Sequence, residues 1–239
     1  MATNLEGDYS KYPEVIRDAF PRIAGETCQL RETWLIYHRL FMDDERLTQV
    51  MSEQFGPLLG VLQTTLEDSL FLSVSRLTDK DNPRQPNLSV WTLKAAVPFS
   101  ATPGFAATLD VALAEIWRLA ADLRLHRHKR VAHFDRDVGL KITPLPEVKL
   151  IAFRTVLESI ERYLNLFFWE FEQTTMMFDM MSAQEITGKA EVAVLKARAY
   201  DLLVETGTIA AGEWRRLWNK LKEGSGTEPT RPTSGDKIK

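Results

Sequence analysis

Leu150, Phe153, Leu157, Ile160, Leu164, Phe167 and Phe171 follow one another at alternating steps of three and four residues. A strand repeats every two residues and cannot hold all seven side chains on one face, whereas an α-helix does. The spacing therefore predicts a long helix over about 146–178 with one apolar face that other helices must cover. The same period recurs elsewhere. Ile23, Leu30, Trp34, Tyr37 and Phe41 predict a helix ending near Met42, with Pro21 in its first turn or at the junction with a shorter helix. Leu58, Leu62, Leu66, Leu70 and Ser73 predict another over about 57–77, and a further helix begins near Phe105. No stretch has the period of a strand, so the expected class is all-α, an antiparallel helical bundle.

Two segments stand apart from the bundle helices. Thr78 to Pro83 is a run of turn formers, and Pro83, Pro86, Pro98 and Pro103 leave room for only a short helix around Ser89 to Ala96, capped by Asn87 or Ser89. Leu88, Val90, Trp91 and Leu93 still require burial, so this proline-rich stretch reads as a connection within one domain. Extra C-terminal helices are expected over 183–205 and 213–222, separated by Gly207 and Gly212, and the expected single domain is 1–222. From Glu223 the chain is Gly, Ser, Thr, Pro and Lys with Ile238 alone apolar, which predicts a disordered tail over 223–239.

With 44% apolar residues in 239, the chain can bury a full core. A formal charge of −3 argues against a broad cationic coat for nucleic acid or membrane, so a polyanion would have to be gripped locally. Cys28 is the one cysteine, which excludes an internal disulfide framework and fits a reducing compartment. Asp8, Glu14 and Asp18 interrupt the first 25 residues, and no apolar run is long enough for a membrane span. The expectation is a cytoplasmic protein without membrane attachment.

Against this background one cluster departs from an ordinary helical surface. His126, His128 and His133, three of the four histidines, fall among Arg124, Arg127, Lys129, Arg130 and Arg136. A shared metal on a helix wants ligands three or four apart, and here the separations are two, five and seven. At ~1.5 Å rise per residue, His126 and His133 stand ~10 Å apart along one face, too far for one zinc. Neither a metal nor any other cofactor is expected.

The apolar stripe Leu109, Leu113, Ile116, Ala120 and Leu123, extended by one turn, lands on Arg127. An arginine there must meet a carboxylate, with Asp79, Asp135 and Glu158 as candidates, or face a cleft, or lie at an interface. His133, at the end of the expected helix 105–133, suits a dipole-complementing charge. Close to a guanidinium, its imidazole is also biased toward the neutral form, a base near pH 7. Histidine and arginine together suit attack on a phosphodiester, one moving a proton and the other stabilising charge on the phosphoryl oxygens.

Arg127-His128-Lys129-Arg130-Val131-Ala132-His133 resembles the signature of the HEPN superfamily, an arginine, a polar residue and a histidine four to six positions on. The wider pattern of Arg127, Lys129, Ala132, His133 and Asp135, with Ser75 to Asp79 and Asn87 to Ser89 upstream, is similar to the AbiU-like abortive-infection proteins of that superfamily. The resemblance spans roughly Trp34 to Phe171. It implies an HEPN-like bundle and a metal-independent endoribonuclease of phage-defence or toxin type, whose cleft forms where two subunits of a homodimer meet. By this resemblance Arg127 stabilises the phosphate, His133 is the general acid or base, and His128 fills the orienting position where asparagine or aspartate is common. Lys129, Arg130, Arg124 and Arg76 would grip the RNA, with Asp135, Asp79 and His126 in supporting places. The alternative is a non-catalytic interaction or nucleotide-binding module that partners an antitoxin protein.

Overall fold

A computed structural model describes residues 7–43, 45–80, 84, 86–132, 135–140, 142, 144–178 and 181–224. The chain forms two compact units, Met1–Glu191 and Val192–Lys239. In the first, α1 (Glu14–Arg17), α2 (Ala19–Phe41) and α3 (Glu45–Thr78) lead into a 3-10 segment (Val90–Phe99). Then come α4 (Phe105–Leu119), α5 (Ala121–His126), a π-helical segment (Arg127–Ala132), α6 (Arg136–Gly139) and α7 (Ile151–Glu172). Helix α8 (Met181–Glu205) leads into α9 (Glu213–Gly224), and residues 225–239 of the expected tail lie outside the described residues. The fold is an all-α bundle, and among the described residues no helix is long and apolar enough to cross a membrane.

The apolar stripe of α7 lies in the core. Phe153, Leu157, Ile160, Leu164 and Phe167 of α7 are buried, and α2, α3 and α4 all pack against that helix. Phe167 meets Phe20 at 5.8 Å, Phe105 at 5.5 Å and Tyr163 at 5.3 Å between ring centroids, spacings at which aromatic pairs attract. Buried hydroxyls tie the edges down. Tyr163 donates to the Val90 carbonyl at 3.1 Å and so fastens the 3-10 segment to α7, while Tyr12 donates to Glu172 at 2.6 Å.

Helix boundaries follow local chemistry. Pro21 sits in the first turn of α2, where a missing N–H costs no bond. A kink at Phe55 (φ −134°, ψ 23°) divides α3 two residues before Pro57, so the expected helix over 57–77 is the second part of a longer one. Ser89 and Thr92 form a reciprocal capping box on the 3-10 segment, which makes Ser89 the cap rather than Asn87. Helix α7 is shorter than the predicted 146–178. It ends at Gln173 in the left-handed conformation (φ 56°), and Asn165 then holds Met176 through both its amide groups, at 3.1 and 2.7 Å.

The second unit has its own turn. Gly207 (φ 71°) and Gly212 (φ 84°) adopt backbone angles that disfavour a side chain, and this is how the two glycines interrupt the helical run. The Tyr200 hydroxyl accepts from the Trp214 N–H at 3.1 Å across that turn.

Replacing Phe167 with alanine should destabilise the protein by about 3–5 kcal/mol in urea unfolding, the usual cost of emptying an aromatic core position. Val111→Ala, at a side chain 71% exposed on α4, should stay within about 0.5 kcal/mol.

Candidate functional site

Leu109, Leu113, Ile116, Ala120 and Leu123 are all buried, so the α4–α5 stripe is real up to the turn before Arg127. The helix expected over 105–133 is nevertheless not uniform. Ala120 (φ −83°, ψ 1°) separates α4 from α5, although the bonds Ala120 N–H to Ile116 O (3.0 Å) and Arg124 N–H to Ala120 O (2.9 Å) keep the axis running. At Arg127 the chain changes to π-helical winding. The next member of the stripe is a guanidinium, which cannot enter the core unpaired. Arg127 is left half-buried, and Val131 returns to the edge of the core.

Arg127 lines a cleft of about 480 Å³ with Arg22 and Glu26 of α2, Arg76 and Leu77 of α3, Asp79, and the Pro86–Leu88 stretch. Three guanidiniums face two carboxylates there. Arg76 is held by Glu26 at 3.1 Å. Arg127 has no ion pair among the described residues, and its buried Nε has no hydrogen-bond partner among them. Of the three candidate carboxylates, Asp135 is bonded to Lys129 (2.7 Å) and Glu158 to Arg154 (2.7 Å). Asp79 acts on Arg127 through space. Burial pushes its carboxyl above the usual aspartate range, and the charges of Arg127 and Arg124 offset only part of that rise. One half-buried carboxylate is thus shared by two cations.

Other residues of the cluster have different surroundings. His126 stacks on Phe71 (5.3 Å, 7° between planes) and its Nε2–H donates to the Pro146 carbonyl at 2.6 Å, pinning the chain that enters α7. Arg130 lies over the same Phe71 ring at 5.0 Å and bonds Asp68 of α3 at 3.0 Å. The Lys129 partner Asp135 also accepts from the Asp137 and Val138 amides (3.1 and 3.3 Å), capping α6, and its own N–H reaches the Lys129 carbonyl at 3.1 Å. The Lys129 ammonium and those amide bonds hold the Asp135 carboxyl below the usual range. Arg124 lies over Trp117, with Cζ 3.4 Å from the ring centroid, and His128 is exposed. His133 lies outside the described residues.

The structure therefore gathers Arg76, Asp79 and Arg127 at one cleft, with Arg124 beside it through Asp79, and gathers His126 and Arg130 around Phe71. Arg22 and Glu26 escaped sequence reading because they reach the cleft from a helix a hundred residues away, and nothing in the α2 pattern marks them. Among the described residues no three His, Cys, Asp or Glu side chains gather as a metal would require. Phe71→Leu should cost about 1–3 kcal/mol. In the same variant, hydrogen exchange of the 127–132 amides should quicken more than that of α7, because the ring clamps the segment and α7 keeps its other partners.

A family model described as AbiU2, within the HEPN group, matches residues 15–190, a range that takes in α2 to α7 and the whole basic cluster. This is wider than the expected Trp34 to Phe171. No curated protein and no solved structure matches the chain. The matched segment covers well over half of the sequence, and the chain belongs to the AbiU2 family of abortive-infection HEPN proteins.

Proposed function

We propose that this protein is a metal-independent RNA endonuclease of phage-defence or toxin type. The observation that carries the reading is Arg127, a half-buried guanidinium at a cleft wall with no ion pair among the described residues. Family membership supports it, since the match takes in residues 15–190, and Arg127 and His133 are the residues whose spacing resembles the HEPN signature.

In the proposed reaction the His133 imidazole takes the proton of a ribose 2′-hydroxyl, and the 2′-oxygen attacks the adjacent phosphorus. The bond from phosphorus to the 5′-oxygen breaks, and that oxygen leaves with a proton from the second histidine of the paired site or from water. The products are a 2′,3′-cyclic phosphate and a 5′-hydroxyl end, so no electron donor or metal enters the balance. Arg127 stabilises the charge that grows on the phosphoryl oxygens, and His128 orients the pair. Pairing of two subunits, common among HEPN domains, would bring two Arg127–His133 sets to one groove.

A second reading has its own support. Arg76, Lys129 and Arg130 are each already bonded to a carboxylate of the same chain, which suits a non-catalytic module whose cleft binds nucleotide or an antitoxin protein. RNA cleavage measured in chelator separates the two. The endonuclease reading expects cleavage by the wild type, a loss of about 10²–10³-fold in Arg127→Ala, and a loss of about 10²–10⁴-fold in His133→Ala. Folded wild type that cleaves no RNA and arrests no growth would favour the second reading, and cleavage that persists in both variants would remove Arg127 and His133 from the chemistry.

A further inference from the structure

Beside the cleft, where α3 ends, two tryptophans and two cations form an arrangement that the proposed chemistry does not use. Trp91 of the 3-10 segment and Trp117 of α4 meet edge to face, 6.1 Å between centroids. The Trp91 indole N–H donates to the Thr78 carbonyl at 3.1 Å, which ties this pair to the residue before Asp79. Lys80, next after Asp79, places its ammonium 5.0 Å from the Trp91 centroid and 4.6 Å from that of Trp117. Arg124 lies on Trp117 and donates to its carbonyl at 2.8 Å, while its buried Nη1 has no partner among the described residues.

Scaffolding alone does not account for this. One cation on an indole stabilises by about 0.5–1 kcal/mol at an exposed site, but a second on the same ring adds like-charge repulsion inside a Debye length of about 8–10 Å. Three cations nearby are relieved by carboxylates: Arg76 by Glu26, Lys129 by Asp135, Arg130 by Asp68. Exposed Lys80 has no carboxylate partner among the described residues, and Asp79 is shared by Arg124 and Arg127. An anion arriving at Lys80 would remove the repulsion, and the partly buried indoles beside it supply what a nucleobase stacks on.

Resting on the RNA reading above, we propose that Lys80, Trp91, Trp117 and Arg124 form a shelf for single-stranded RNA. It takes the nucleotide beside the one whose phosphate meets Arg127. Lys80 holds its phosphate, Arg124 backs the Trp117 ring from its own place on that indole, and the base lies against the indoles. Continuity with the cleft comes through the chain: Asp79 lines the cleft and precedes Lys80, and exposed Leu88 lines it three residues before Trp91. Every base has a flat face, so the shelf tolerates any base, whereas an A-form duplex keeps its bases stacked away from such a surface.

The test uses the full chain and a short single-stranded RNA bearing 2′-O-methyl groups throughout, which lacks the attacking hydroxyl. Fluorescence anisotropy across a salt series gives affinity and slope. Lys80→Ala should weaken binding and reduce the slope of log K against log salt by about 0.7. Trp117→Leu should weaken binding about 5- to 100-fold, with Trp117→Phe recovering much of the loss. Should Trp117→Leu fail to fold by circular dichroism, Lys80→Ala and Lys80→Glu at the exposed site carry the test. Unchanged affinity and slope in the folded Lys80 variants, or duplex RNA competing as well as single strand, overturns the shelf. Binding lost in these variants with no cleavage by wild type would sink the endonuclease reading and leave the shelf standing, and cleavage by wild type with Lys80 variants binding normally would do the reverse.

Discussion

The ring of Phe71 is where the core and the candidate site are joined. On one side it meets Phe153 of α7 edge to face at 4.9 Å, and on its faces it carries the imidazole of His126 and the guanidinium of Arg130. Those two residues flank Arg127 in sequence, one at the end of α5 and the other inside the π-helical segment. A single aromatic side chain of α3 thus fixes the segment that carries Arg127, and α3 is itself fixed against α7 through the same ring. The bond from His126 to the Pro146 carbonyl closes the circuit back to α7. Because packed rings shift in discrete steps rather than continuously, the position of Arg127 inherits the rigidity of the core.

Charge is arranged on that frame with little freedom left over. In a chain of net charge −3, Arg76, Lys129 and Arg130 near the cluster are each paired with a carboxylate of the same chain. Arg127 at the cleft and Lys80 on the tryptophans have no ion pair among the described residues. A polyanion drawn by such a chain would be held at defined points, in keeping with the sequence argument that any grip must be local.

How much of this was legible in the sequence depends on how far each feature reaches. Periodicity located α2, the second part of α3, α4 and α7, because a buried face imposes the same spacing wherever it occurs, and the stripe ending on Arg127 marked that residue before any geometry was known. The ends were less legible. Asn165 stops α7 early by binding Met176, and the kink at Phe55 joins two helical runs, and neither leaves a composition signal. The partners of Arg130 and His126, on α3 and at Pro146, and the cleft contributions of Arg22 and Glu26 are products of packing between distant segments. The change to π-helical winding at Arg127 also needed coordinates, since a uniform α-helix fits the same letters.

On the proposed reading, the sharing of Asp79 suits Arg127 to an anion. Arg127 and Arg124 both act on one half-buried carboxylate, so two cations face a single acidic group. Full pairing of Arg127 would have satisfied the fold and left nothing for a ligand; no carboxylate at all would have left two guanidiniums repelling each other at the end of an apolar stripe. A single shared aspartate lies between these limits. On that reading, it leaves a deficit that one phosphodiester charge would complete. On the proposed reading the same deficit acts in catalysis, because the charge that grows on the phosphoryl oxygens at the transition state meets a field already in place, with no reorganisation of the site.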